Sequence, residues 1–561
     1  MAQGVIVKVF RLLAAHCLLA GIALPAFSTD AALFYWFEYT GRDPIYSAPL
    51  PEGSFHNPVL AGYYPDPSVT RVGDKYYLVN STFTHWPGIP IHESRDLVHW
   101  KLIGHALNDP KQVNFDNLRV SAGVFAPAIE YHDGTFYVIN TLVDAGGNFF
   151  VTAKDPRGPW SDPVWLKEID GIEPSFFFDE DGKAYVVNNG PPEGTPLYDG
   201  HRAIWIQQFD VAAQKLTGPR QVIVNGGVDL TRKPIWIEGP HLYRINGWYY
   251  LMCAEGGTER NHSEVIFRSK SPWGPFAPYA ANPILTQRDL PADRPDAVTN
   301  SGHADLIQMK DGSWWALFLA SRPYRDYLFN TGRETFLLPV TWQDGWPIIL
   351  GHGKAIPTTL PGPKAMKPRA TGDALAGNFT RREDFRGAHG LGPEWITVYT
   401  PRKALPVTTH ELGLFVAPER DTTLADRRNA GFIARRQQHQ HFDASTELMP
   451  TAAKVESGLA AFQNETHWYF LGQRLRGEQV EVFLQRAAAG APAVVARTSL
   501  PRPKDGKLRL RISGDGGAYS FYYDAGSGWH PLLEKDDATF LSTEIAGGFV
   551  GTVIGPYAQY E

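Results

Sequence analysis

The chain has 561 residues, too many for one ordinary core, so two domains are the starting expectation. Aromatic residues make up 13% of it, and Gly and Pro are plentiful, a composition suited to many short strands joined by tight turns. The net charge is only −6 and no long basic run occurs, which argues against nucleic acid or an anionic membrane surface as partner.

At the N-terminus, Lys8 and Arg11 precede an apolar stretch from Leu12 to about Pro25, followed by small residues. That is the layout of a secretory signal peptide over residues 1–28, with Ala26-Phe27-Ser28 as the cleavage site. The stretch is shorter than the ~20 residues a membrane-spanning helix needs. A periplasmic or secreted protein, free of the membrane after cleavage, is expected. Cys17 leaves with the signal, so Cys253 is alone and no intrachain disulfide can form. Residues 29–54 read as an extended leader.

From residue 55 a phrase recurs: "GDKYYLVNS" at Gly73, "DGTFYVINT" at Asp133, "DGKAYVVNN" at Asp181, "NGWYYLMCA" at Asn246 and "DGSWWALFL" at Asp311. Each pairs a Gly-containing turn with an aromatic, β-branched strand, and Asp-Gly or Asn-Gly supplies the positive φ angles of a type I′ hairpin. A second phrase follows some copies, as in "ESRDLVHW", "AKDPRGPWSDP" and "RSKSPWGPF", and reads as an outer strand of the same unit. Antiparallel units repeating every 50 to 65 residues or so are propeller blades. A five-bladed β-propeller over residues 55–360 is predicted.

Residues 361–377 are rich in Pro, Ala and Thr and read as a linker. From residue 378 to 561 the strands are short and alternating, for example "EQVEVFLQR" and "GKLRLRISGDGGAYSFYYDAG". Alternation implies sheets with one buried face, so an all-β chain ending in a β-sandwich is expected.

Just upstream of the five repeated turns stand "YYPDPSV", "VFAPAIE", "GIEPSFF", "IEGPHLY" and "SGHADLI". Asp66, Phe125, Glu173, Glu238 and His303 each lie seven to nine residues before the Gly of their own turn. Taken singly, Asp66 between two prolines is good turn chemistry. One shared register on five blades instead brings three carboxylates, a histidine and an aromatic ring to one end of the central channel. Acids facing each other across a neutral, aromatic-lined pocket suit hydrolysis of a glycosidic bond. Mutual repulsion would keep one of them protonated as the acid, and sugar faces would lie on the rings.

The segments "YYPDPSV", "GIEPSFFFDEDG", "WIEGPHLY", "AEGGT", "SGHADL", "TGRETFLLP" and "FVGTVIG", in this order along nearly the whole mature chain, resemble glycoside hydrolase family 43, closest to its two-domain β-xylosidase and α-L-arabinofuranosidase members. The resemblance implies Asp66 as the general base that activates water, Glu238 as the general acid, and Glu173 as a third carboxylate that tunes the acid and orients the substrate. It implies Arg333 and Phe83 as substrate contacts, Phe125 and Ala126 lining the same subsite, Thr258 beside the acid, and His303 in the channel. A sandwich loop, "EIAGGFVGTV", would close the pocket through Ile545 or Phe549. The third carboxylate is more familiar as Asp and the aromatic before Ala126 as Trp, so Glu173 and Phe125 are departures that bear on the substrate.

On the residues alone, His303 is otherwise a buried core histidine, Arg333 a structural partner of Glu334, Phe83 ordinary core, and Cys253 a packed small hydrophobe. No cofactor is required, although calcium near His303 is a further expectation, as in some relatives; no acidic calcium loop is visible. The reading is an inverting, exo-acting enzyme releasing terminal β-D-xylose from xylo-oligosaccharides, with removal of α-L-arabinose as the alternative. Either substrate is a pentose oligosaccharide, and a homo-oligomer is compatible with the sequence. A retaining fructan hydrolase would want an Asn-Asp-Pro-Asn segment, which is absent, and a non-catalytic sugar-binding propeller would not need Asp66 and Glu238 together.

Overall fold

A computed structural model of the chain describes residues 30–367, 375–387, 390–401, 408–409, 411–450 and 454–561. The expected signal peptide lies outside the described residues. Among those described, no helix is long and apolar enough to cross a membrane.

Five antiparallel sheets, each led by an inner strand, form the predicted propeller. The inner strands are Ser68–Val72, Gly123–His132, Ile172–Phe178, Glu238–Ile245 and Thr299–Gln308. They contact one another around a ring, and the fifth meets the first. Outside the blades the ring is latched by Ser54–His56, which pairs with Thr359–Pro361. Apolar residues of neighbouring blades fill the space between sheets, as where Tyr250, Met252 and Ile266 of the fourth blade pack with Leu306, Ala316 and Phe318 of the fifth. Fully burying side chains of this size stabilises by roughly 1.5–3 kcal/mol each.

The repeated turns divide into two kinds. Asp133-Gly134 and Asn246-Gly247 have both φ angles positive, as a type I′ hairpin demands. At Gly73, Gly182 and Gly312 only the glycine is left-handed. Around Gly182 and Gly312 the loop is longer: Asp179 N–H donates to the Lys183 carbonyl at 2.8 Å, and Met309 N–H to that of Ser313 at 2.8 Å. These are type I turns closed by a glycine, so the repeat fixes a hairpin but not its turn type.

The C-terminal half is a sandwich of an eight-stranded and a seven-stranded sheet. Its core includes Phe34, Phe37, Phe442, Leu459, Tyr469 and Tyr519. The first two correct the reading of residues 29–54. Ala32–Gly41 is an inner strand of the eight-stranded sheet, pairing with His441–Met449 on one side and with Gly413–Val416 and Phe379–Asp384 on the other. The segment "ALFYWFEYTG" is mostly buried and packs as a strand must. Among the described residues the path therefore runs from the sandwich to the propeller and back.

The halves are joined at several places, two of them through shared buried groups. Phe83 and Trp86 of the propeller share a core with Tyr399, Phe432, Phe470 and Tyr557 of the sandwich. Buried Arg322 donates to both carboxylate oxygens of Glu334 at 2.6 and 2.8 Å, to Asp43 at 2.8 Å and to the Gln438 carbonyl at 3.1 Å. Three stretches distant in sequence thus meet on one guanidinium.

Candidate active site

The five inner strands enter the channel through one repeated backbone device. Asp66, Ala126, Glu173, Gly239 and His303 all have left-handed φ, between 35° and 57°. In four of the five a proline follows (Pro67, Pro127, Pro174 and Pro240), which removes an N–H from the ladder and denies the preceding residue the right-handed helical region. The strand pairing shifts register at these points in the second to fifth blades. The structural register therefore differs by one residue from the expected one: Ala126 and Gly239, not Phe125 and Glu238, are equivalent to Asp66. Phe125 and Glu238 lie one residue upstream.

The second strand of the second and third blades, and the residues just past that of the first, supply a polar side chain to the next blade's bend. Ser81 Oγ accepts the Ala126 N–H at 2.6 Å, and Thr141 Oγ1 accepts the Glu173 N–H at 2.9 Å. Asn189 donates to the Ile237 carbonyl at 2.5 Å. These residues were not singled out from sequence, although they close the repeated phrases "YYLVNS", "FYVINT" and "AYVVNN".

The three carboxylates gather as expected. Asp66 is buried, accepts from Ser81 Oγ at 2.5 Å and from Arg333 at 3.2 Å, and has His303 Nδ1 at 3.5 Å. Glu173, also buried, accepts the Gly239 N–H at 2.8 Å and so braces the backbone next to Glu238. Glu238 is half-buried at the start of its strand. Arg333 also donates to Thr258 at 2.7 Å. Glu334, the other partner weighed for Arg333, is bound by Arg322.

Burial pushes the Asp66 carboxyl up, but Arg333, His303 and the Ser81 hydrogen bond outweigh it and hold it below its ordinary value. Burial also holds His303 down at about 4, so at neutral pH the cation beside Asp66 is Arg333. Burial, then the Asp66 charge, pushes Glu238 up to about 8, against the pull of Arg333 and Arg202. Glu173 is raised well above the usual carboxylate range by burial, then by Glu238 and Asp66. Asp66 is thus biased toward its anion and the two glutamic acids toward their protonated forms, a division made by environment alone.

Three rings form one wall. Phe83 meets Phe125 edge-on at 5.3 Å between centroids and lies near-parallel to Phe549 at 6.1 Å; Phe125 meets Phe549 edge-on at 5.5 Å. Phe549 comes from the sandwich. Its N–H donates to Ser121 Oγ at 2.9 Å, and Thr552 N–H donates to the Asn330 carbonyl at 2.8 Å. Of the two loop residues considered, Phe549 joins the wall, whereas Ile545 is 50% exposed.

Sequence reasoning also missed Arg202. It donates to Asn189 Oδ1 at 3.1 and 2.9 Å, and its charge acts on Glu238. Cys253 is fully buried, and burial raises its thiol well above the usual range, as suits a packed hydrophobe. A calcium ion near His303 would want several oxygens. Among the described residues no cluster of three or more His, Cys, Asp or Glu converges for a metal. The channel beside His303 is lined by Asp66, Glu173, Ser68, Ser175 and His241 together with Pro67, Pro127, Pro174 and Pro240.

Comparison with known proteins agrees with this arrangement. The sequence model described as "Glycosyl hydrolases family 43" matches residues 55–347, and that described as "Beta xylosidase C-terminal Concanavalin A-like domain" matches residues 382–561. A "Xylosidase/arabinosidase" of Butyrivibrio fibrisolvens is 36% identical over 513 residues, covering 90% of this chain and 95% of the relative. A "Non-reducing end alpha-L-arabinofuranosidase" of Bacteroides ovatus is 36% identical over 523 residues, covering 91% and 92%. A crystal structure of "a GH43_12 retrieved from capybara gut metagenome" superposes with a TM-score of 0.89 at 39% identity, covering 95% of this chain and all of that one. A propeller with three carboxylates at its hub, a matching accessory domain and relatives spanning nearly the whole length leave one assignment: the chain is a glycoside hydrolase and belongs to glycosyl hydrolase family 43.

Proposed function

We propose that the protein is an inverting, exo-acting β-xylosidase, removing terminal β-D-xylose from xylo-oligosaccharides. The observation that carries this reading is the pairing of Asp66 with Arg333 at 3.2 Å, which holds its carboxyl below the ordinary value, within electrostatic reach of Glu238, whose carboxyl burial and the Asp66 charge push up. Inverting hydrolysis needs that pair of states, one carboxylate to take a proton from water and one carboxylic acid to protonate the leaving oxygen.

In the proposed reaction the terminal pentose lies against Phe83, Phe125 and Phe549, with its hydroxyls facing Arg333 and Thr258. Asp66 removes a proton from a water as it attacks the anomeric carbon. Glu238 gives its proton to the glycosidic oxygen, and the bond to the leaving sugar breaks in the same step. Glu173 holds the Gly239 N–H, fixing the backbone next to the acid, and its own carboxyl orients the substrate. The wall formed by Phe549 favours a chain end over an interior unit. We further propose that the chain is exported, with cleavage near residue 28 leaving the strand Ala32–Gly41 intact; the N-terminus of the mature protein tests this.

A second reading, release of terminal α-L-arabinofuranose, is favoured by the name of the Bacteroides relative. Hydrolysis of nitrophenyl β-xyloside and nitrophenyl α-arabinofuranoside, measured side by side, separates the two. The β-xyloside is expected to show the higher kcat/KM. The reverse order would make the arabinofuranosidase reading the better one, and turnover of neither would overturn both.

A further inference from the structure

The rim next to Glu238 carries an aromatic ring that chemistry at the terminal pentose does not use. Trp236 lies two residues before Glu238 and is 39% exposed, with Ile235 beside it at 37%. Its backbone is left-handed, with φ 51°, an unfavourable conformation for so bulky a residue. Such a conformation persists only where surrounding contacts impose it.

The contacts here are plain. Trp236 N–H donates to the Gly200 carbonyl at 2.9 Å, the Ile235 carbonyl accepts from Gly256 N–H at 2.9 Å, and the Pro234 carbonyl accepts from the Tyr198 hydroxyl at 2.7 Å. Arg202, clamped on Asn189, holds its guanidinium 5.1 Å from the indole centroid. A Cβ added to Gly200 would lie 3.5 Å from the indole nitrogen, and one added to Gly257 would lie 3.8 Å from Cδ1. The ring is thus fixed by its backbone, backed by a cation and flanked by glycines, yet left open to solvent.

We propose that Trp236, backed by Arg202, is the platform on which the leaving-group sugar stacks. The inference rests on Glu238 being the acid of the proposed reaction. The oxygen that Glu238 protonates belongs to the leaving sugar, so that sugar lies on the Glu238 side, where Trp236, two residues away on the same segment and sharing Arg202 with Glu238, is the exposed ring. A pyranose face is apolar enough to lie on an indole whose position is already set, with little ordering cost on binding. The terminal pentose, by contrast, is met by the phenylalanine wall.

The test compares two substrates that share the terminal xylose and differ in what leaves. Xylobiose releases a sugar, whereas β-xylosyl fluoride releases a single atom. For Trp236→Ala, the loss of kcat/KM on xylobiose is expected to exceed the loss on the fluoride by about tenfold, mostly through KM. Trp236→Phe should recover most of the difference, and it also serves if the alanine variant folds poorly. Equal losses on both substrates, or no loss on either, would overturn the platform. Wild-type protein inert toward both substrates would instead remove the proposed function and with it the ground for this inference.

Discussion

Asp66 shows how a residue suited to a turn becomes suited to chemistry. Its left-handed backbone, like those of Ala126, Glu173 and His303, costs on the order of 1–3 kcal/mol. Hydrogen bonds to the preceding blade hold Ala126 and Glu173 in place, while Ser81 and Arg333 hold Asp66. The return is electrostatic: Asp66 sits where Arg333 and Ser81 keep it ionised, while Glu238, within reach of its charge, keeps a proton. The pH dependence follows from the signs. The base must be ionised, so kcat/KM falls as pH drops through an Asp66 value below the ordinary carboxylate range. The acid must be protonated, so kcat/KM falls again as pH rises through about 8. Arg202 lowers the Glu238 value, so Arg202→Met should move the basic limb of the profile to higher pH and leave the acidic limb in place. An unmoved basic limb would show that Glu238 does not govern it. At this scale the ionisable groups were legible in the sequence, because the five-fold phrase set Asp66, Glu173, Glu238 and His303 close to one register. What was not legible was the offset of one residue, since a bulge leaves no mark in a periodicity count. The X-Pro pairs after Asp66, Ala126, Glu173 and Gly239 were the available signal. Arg202 belongs to no repeated phrase, and only the folded blade brings it to Glu238.

Among elements, the sandwich loop that carries Phe549 matters most for the pocket. It is bonded to the propeller at Ser121 and Asn330, and Gly551 lies so close to Gly332 that a Cβ on Gly332 would come within 2.9 Å of its backbone. Phe549 is half-buried, and its ring contacts are each worth about 0.5–1.5 kcal/mol beyond area burial. Phe549→Ala should therefore leave the fold intact and raise KM for an aryl pentoside roughly tenfold with a smaller change in kcat. An unchanged KM, read from initial rates, would place the ring outside the pocket. The strand Ala32–Gly41 marks the limit of reading elements from sequence. Its residues looked merely extended because its partner, His441–Met449, is some 400 residues away, and no local pattern names so distant a neighbour. The blades, whose strands pair with the next strand in sequence, carried their own evidence.

For the whole molecule, the chain's return path makes the two halves one unit. The sandwich cannot close without the strand that precedes the propeller, and Arg322 ties Asp43, Glu334 and Gln438 together at the junction. The catalytic hollow is accordingly built from both halves, five blades supplying the bends and the sandwich supplying part of the wall. Propeller and sandwich were each legible from strand periodicity and turn chemistry. Their interlocking was not, because it depends on pairing across the length of the chain. The account as a whole requires that Asp66 deliver water to one face of the pentose while Glu238 protonates the oxygen leaving from the other. The most direct measurement is proton NMR of the first sugar released from a nitrophenyl β-xyloside, recorded before the product equilibrates. Single-displacement chemistry predicts α-xylose as the first anomer, whereas β-xylose appearing first would contradict it.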